Sequence, residues 1–283
     1  VFYFGDQEAN GGGFIATKLK ALDFAGGTAV HINAGAAGLA LALVLGKRIG
    51  FGKMLLRPSN LPLVMIGASL LWFGWFGFNA GSSLGANGLA AVAFVNTFSA
   101  TCASVAGWLL VERLRDGHAT SLGAASGIVA GLVAITPACA FVDTFGALLI
   151  GLIAGAVTAL AVGLKYRFGY DDSLDVVGVH LVGGLVGTIL IGLFGTTKVN
   201  ELSVNGLFYG GGASQLIIQI EAALIVTVFS FVVTYLIAKI LTATLGFRVT
   251  KDEELEGVDI ALQAETAYDL VDSSKGSSKG VGA

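Results

Sequence analysis

Charge is scarce in this chain: only 12% of its 283 residues are Asp, Glu, Lys or Arg and 55% are hydrophobic, whereas a soluble domain carries about 25% charged residues. A soluble globular domain is excluded. The 16 basic and 19 acidic residues leave a net charge of −3, which by itself says little, and no nucleic-acid partner is expected. Cysteine is nearly missing too. Cys102 and Cys139 both fall in or at the edge of apolar runs, where cysteine behaves as a small hydrophobe, so no disulfide framework or metal spacing is visible, and no metal or cofactor is expected. The alternating strand pattern of an outer-membrane barrel is absent, as is the basic start and cleavage site of a signal peptide. Residues 1–4 read as the end of an apolar run, so an N-terminally truncated chain is expected.

What is there is apolar length. Long, nearly uncharged runs lie at about 23–46, 61–83, 87–111, 141–163, 174–195 and 213–245, with a shorter one at 120–136, which predicts seven spans. Backbone groups in lipid must be satisfied within each segment, so the fold class is an all-α, polytopic membrane helix bundle. Lys47, Arg48, Lys53 and Arg57 follow the first span, Arg113 and Arg115 the third, Lys165 and Arg167 the fifth, and Arg248 and Lys251 the seventh, while the other loops offer only Lys198. These basic loops are assigned to the cytoplasm, with Lys18 and Lys20 as the exception. The expected organisation is an external segment 1–22, a membrane part 23–245 and a cytoplasmic tail 246–283. The run at 213–245 exceeds the roughly 20 residues that span a bilayer, so its helix is expected to tilt or project.

Two histidines interrupt the apolar runs, and glycines recur at the same offsets from each. Gly35, Gly38 and Gly46 follow His31, as Gly184, Gly187 and Gly195 follow His180. The topology runs the two copies in opposite directions, as inverted repeats require. Asp23 and Asp175 precede the two histidines by eight and five residues and are taken as the heads of their helices. At ~1.5 Å per residue the rings then lie about 12 Å and about 8 Å from opposite ends, within reach of each other near the midplane. Either histidine alone would read as a buried ring donating to a backbone carbonyl. Matched offsets, opposed direction and compatible depth favour a shared central site, and an ionisable group within a span points to function. His118, among Arg115, Asp116 and Thr120, reads as solvated.

The segment WFGWFGFNAGS, 72–82, sets Trp75, Phe78 and Ser82 on one helical face near the external end. A hydroxyl beside an aromatic face suits a small cation losing water, through cation–π attraction and a replacement hydrogen bond, with Phe78 as an apolar constriction. An interfacial aromatic belt explains Trp72 and Phe73, but not aromatics that continue so near the serine on one face. Residues 81–85 match G-x-S-x-G, but a nucleophile elbow needs a strand before it.

With DFAGGTAVHINAG (23–35), WFGWFGFNAGS (72–82), GIVAGLVAITPACAFV (127–142) and DDSLDVVGVHLVGG (171–184), nearly the whole chain resembles the ammonium transporter family (Amt/MEP/Rh), on its Amt branch. The resemblance implies a transporter rather than an enzyme: an eleven-helix protomer with an inverted repeat, trimeric, in the plasma membrane, with a pore in each subunit conducting ammonium or ammonia and its analogue methylammonium. It makes His31 and His180 the paired pore histidines and Phe78 the inner gate residue. Ser82 and Trp75 become outer-vestibule positions that recruit ammonium, with Asp23 near them. The chain corresponds to helices five to eleven, and no vestibule tryptophan is found in 10–20. The tail 248–270 is similar to the family's cytoplasmic C-terminal region, which in many bacterial members contacts a PII-type signalling protein. Here Leu262, Gln263 and Ala264 stand where a histidine often precedes the glutamate, and 273–283 are expected to be disordered. Rival readings are a channel for carbon dioxide or urea, an intramembrane hydrolase using Ser83, and a sensor whose tail reports occupancy.

Overall fold

The structure, a computed structural model, describes residues 12–54, 57–266 and 268. The fold is an all-α helix bundle, as expected, and its helices follow the order of the apolar runs. Among the described residues six helices are long and apolar enough to cross a membrane: α1 (Gly27–Leu45), α2 (Leu61–Gly81), α3 (Gly88–Asp116), α5 (Thr144–Phe168), α6 (Val177–Phe194) and α7 (Ser214–Thr244); the shorter α4 (Ser121–Ile135) completes the seven runs. A short α8 (Lys251–Glu256) follows. Among the described residues the only extended pairing is an isolated bridge between Val142 and Gly195. At 31 residues α7 is about 46 Å long, which fits the expected tilt or projection. The N-terminal eleven residues and the low-complexity end of the tail lie outside the described residues.

Loop side chains start four of the helices. Asn60 accepts from the Leu63 N–H, Asn87 from Ala90, Thr120 from Gly123 and Asp143 from Gly146, which caps α2 to α5 in turn. Gly117, at φ 82°, ends α3 in the left-handed conformation.

Packing rests on small residues. Gly151 and Gly155 of α5 press against the Ala100 and Ser104 carbonyls of α3, where an added Cβ would come within 2.0 Å of either oxygen. Gly131 of α4 abuts Thr101 and Ser104 from the other side. Gly127 of the same helix faces Val105 and Trp108, so the two GxxxG spacings in the sequence, Gly127 with Gly131 and Gly151 with Gly155, both sit at helix contacts. The core clusters of α3, α4 and α5 are correspondingly rich in alanine. Across the molecule α7 closes over α1 and α6. Its fully buried Gln219 donates to the carbonyls of Leu22 and Thr188 and accepts from the Leu22 N–H. One side chain so ties the chain leading into α1 to the middle of α6.

Arg48, Lys165 and Arg248 gather at one end. Arg48 pairs with Asp171 at 3.3 Å, Lys165 with Asp175 at 2.7 Å, and Arg248 with Glu254 at 2.8 Å. Helix α1 finishes at this end and α6 begins there, so the two histidine helices run antiparallel.

Candidate functional site

Both histidine helices start in an unusual way. Each opens with a π-helical turn, Gly27–Ile32 before the regular part of α1 and Val177–Leu181 before that of α6, and each turn carries the histidine. Single π turns within helices are rare and concentrate at functional sites. An aspartate eight residues before the histidine caps the turn in both repeats. Asp23 is buried and accepts four backbone N–H groups, with Oδ1 serving Gly26 and Gly27 and Oδ2 serving Thr28 and Ala29. Asp172 does the same for Val176 and Val177, at 3.0 and 2.7 Å.

One sequence expectation changes here. The head of the second repeat is Asp172 rather than Asp175, because Asp175 points its carboxylate at Lys165. With both caps at eight residues the predicted depth gap between the rings narrows to about 6 Å in a ~30 Å core. Asp23, expected to recruit substrate, has both oxygens on backbone donors. It builds the turn under His31.

The glycines close the gap. Gly35, four residues after His31, lies against the backbone of Leu181, one residue after His180; Gly184, four after His180, lies against Ile32, one after His31. This reciprocal contact is what an inverted repeat produces, and it lets α1 and α6 cross at the π turns. Thr28 and Thr188 join their hydroxyls at 3.1 Å beside the crossing.

At the crossing the two imidazoles meet edge to edge. His31 Nδ1 and His180 Nδ1 are 3.3 Å apart, with ring centroids 5.4 Å apart. His31 is buried and His180 half-buried. A hydrogen bond between two Nδ1 atoms requires one ring to donate and the other to accept. One outer Nε2 is then an acceptor and the other a donor, so the pair presents both halves of a proton relay while neutral. His31 Nε2 is buried with no hydrogen-bond partner in the protein.

Aromatic rings wall the site. Trp75 stacks on His31 at 5.2 Å and 18°, and its indole N–H donates to Thr136 Oγ1 at 2.9 Å. Phe78 stands 6.2 Å from His31 and 5.4 Å from Trp75. Ser82, one turn beyond Phe78, donates its hydroxyl to the Phe78 carbonyl at 2.8 Å, which leaves its oxygen lone pairs free to accept. Trp75 and Ser82, expected together in an outer vestibule, are separated: Ser82 caps the end of α2, whereas Trp75 is buried two turns deeper beside the histidines. Seven residues of helix, about 10 Å, account for the difference. His118 is exposed in the turn after α3, away from the site. Ser83 donates to the Gly85 carbonyl at the end of a helix, and no strand precedes it among the described residues, which removes the elbow geometry that a hydrolase requires.

Sequence reasoning missed Asp172, Lys165, Thr136 and Gln219. Asp172 alone had a signal, its eight-residue offset from His180 matching that of Asp23.

An apolar helix bundle with a histidine pair at the crossing of two inverted helices defines a polytopic membrane protein with an ionisable pair in its interior. Residues 6–268 match the Ammonium Transporter Family, and the chain belongs to that family. It is 57% identical over 279 residues to an ammonium transporter of Mycobacterium bovis, covering 97% of this chain and 58% of that one. It is 51% identical over 259 residues to an ammonium transporter of Bacillus subtilis, covering 91% and 63%. The fold is similar to Mep2 of Saccharomyces cerevisiae, with a TM-score of 0.79 and 34% identity over 86% of this chain and 56% of that one. A sensor Amt protein gives 0.80 at 31% identity over 90% and 63%. The chain spans about three fifths of the length of the curated relatives it matches.

Proposed function

We propose that the protein conducts ammonium across the plasma membrane by carrying it past the histidine pair as ammonia. The observation that supports this most is the 3.3 Å approach of the two Nδ1 atoms beside Phe78 and Trp75. An ammonium ion within an apolar conduit is costly. Ser82, with its free lone pairs, accepts an N–H from the ion at the outer end. The ion gives its proton to a water molecule on the outer side of Phe78, and Phe78 excludes that water and the hydronium it becomes from the conduit. The neutral molecule then passes the two rings, hydrogen-bonding to one Nε2 as donor and to the other as acceptor. Trp75 takes a different role from the one first expected: it holds His31 by stacking, and recruitment falls to Ser82 and the Phe78 face.

In this reading residues 1–22 are external, 23–245 form the membrane part and 246–283 a cytoplasmic tail. The basic end of the bundle is cytoplasmic by the positive-inside rule. The complete protein works as a homotrimer, and the tail, docked at that same end, is the surface for a PII-type signalling protein. Replacing both histidines by alanine in the complete gene product tests the pore reading. Methylammonium uptake and the accompanying current should both change, and unchanged values for both would remove the pair from the pathway.

A further inference from the structure

The two repeats solve one backbone problem with different chemistry. Five residues before each histidine the chain adopts a positive φ, at Gly26 (101°) and at Asp175 (58°). In both copies that residue's carbonyl accepts from the N–H four positions on, Val30 to Gly26 at 2.7 Å and Val179 to Asp175 at 2.8 Å. The left-handed residue thus starts the first turn under the histidine. Glycine takes this conformation without steric cost, whereas a residue with a Cβ does not. The second repeat has an aspartate there, and its carboxylate is gripped by a buried ammonium.

That ammonium belongs to Lys165. Its side chain is 9% exposed, and Nζ donates to Asp175 Oδ1 at 2.7 Å and to the Asp172 carbonyl at 3.1 Å. Lys165 so spans both ends of the turn whose other carboxylate, Asp172, caps the π turn of His180. Taking a lysine out of water is expensive unless its partners hold it well, and those partners are the two residues that shape this turn. Gly178, packed against the backbone of Val162, leaves the turn no room to slide toward α5.

We propose that Lys165 and Asp175 are positioning residues for His180: their ion pair holds Asp175 in the conformation that Gly26 supplies in the first repeat, and so fixes the direction from which the His180 ring meets His31. Asp175 and Lys165 touch neither ring, and their effect passes through the π turn. The inference rests on the pore reading only for its consequence on transport.

The test is a double-mutant cycle in the complete gene product in membranes, with methylammonium uptake and the nitrogen-15 signals of labelled histidine as readouts. Asp175→Gly removes the ion pair together with the need for it, and should keep uptake within about twofold of the parent. Asp175→Ala and Lys165→Met leave a β-carbon unsupported at positive φ and should each lower uptake about tenfold. Lys165→Met in the Asp175→Gly background should recover to within about threefold of Asp175→Gly alone. The signals of the ring pair should move in the two damaged variants and return in the double variant. Equal damage by Lys165→Met in both backgrounds, or parent-like ring signals in Asp175→Ala, would overturn the proposal. Ring signals that move while uptake does not would uphold the positioning and count against the pore reading.

Discussion

Asp23 and Asp172 show how a residue's chemistry can be visible in sequence while its task is not. Asp23 looks like a cation-binding group at the outer end of an apolar helix, yet it serves the four N–H groups that open α1. Three aspartates, 171, 172 and 175, compete to head the second repeat, and the choice depends on the positive φ at Asp175, which hydropathy does not encode. Removing the Asp23 carboxylate leaves four backbone donors without acceptors. Asp23→Ala should therefore destabilise the protein by about 3 kcal/mol or more, while Asp23→Asn, which keeps one acceptor oxygen, should cost less. Thermal unfolding in detergent compares the two, and equal stability of the alanine variant and the parent would contradict the capping role. Trp75 was legible as part of an aromatic face. Its stacking on His31 was not, because depth along an apolar helix carries no periodic signal.

At the level of elements, the glycine offsets are the most informative part of the sequence. They place α1 against α6, and the reciprocal contacts of Gly35 with Leu181 and of Gly184 with Ile32 follow the repeat. The π turns left no trace, since one inserted residue in an almost uniformly apolar helix does not disturb its pattern. The two glycines differ in what an added methyl group meets. At Gly35 it falls 2.3 Å from the Leu181 backbone nitrogen, whereas at Gly184 its nearest neighbour is the Ile32 Cγ1 at 2.9 Å and the nearest backbone atoms lie at 3.2 Å. Gly35→Ala should therefore cost more than Gly184→Ala, at the upper end of the roughly 1–3 kcal/mol that overpacking brings. Stability and methylammonium uptake of the two variants, measured side by side, check the order. Equal tolerance at both positions would mean that α1 and α6 are not in contact there.

On the scale of the whole molecule, composition alone fixes the class, and basic-loop asymmetry fixes the antiparallel course of the repeats. The docking of the tail was hidden, because it uses backbone groups. Arg248 donates to the carbonyls of Leu45 and Lys47 at the end of α1, and Glu254 accepts from the Ile49 N–H and from Arg248. A Thr250/Glu253 capping box starts α8 beside this contact. Arg248 beside Glu254, and then the Ile49 N–H, hold the Glu254 carboxyl below its ordinary range. A carboxyl depressed in the docked state strengthens docking above the ordinary glutamate value of about 4.3, and that contribution disappears as pH falls through the lower docked value. Spin labels at Lys53 and Glu256 should report a single short distance at neutral pH and a broader, longer distribution in acid. Arg248→Ala should show the broad distribution at neutral pH already. A distance independent of both pH and Arg248 would contradict this latch.

The central claim is that His31 and His180 act as one unit, a proton-sharing pair that neither ring can replace alone. Methylammonium uptake by the complete gene product carrying His31→Ala, His180→Ala or both measures this directly. The account predicts that each single replacement changes uptake by nearly as large a factor as the double, because breaking either half destroys the shared hydrogen bond. Single effects that multiply to give the double, or no effect of any of the three, would contradict it.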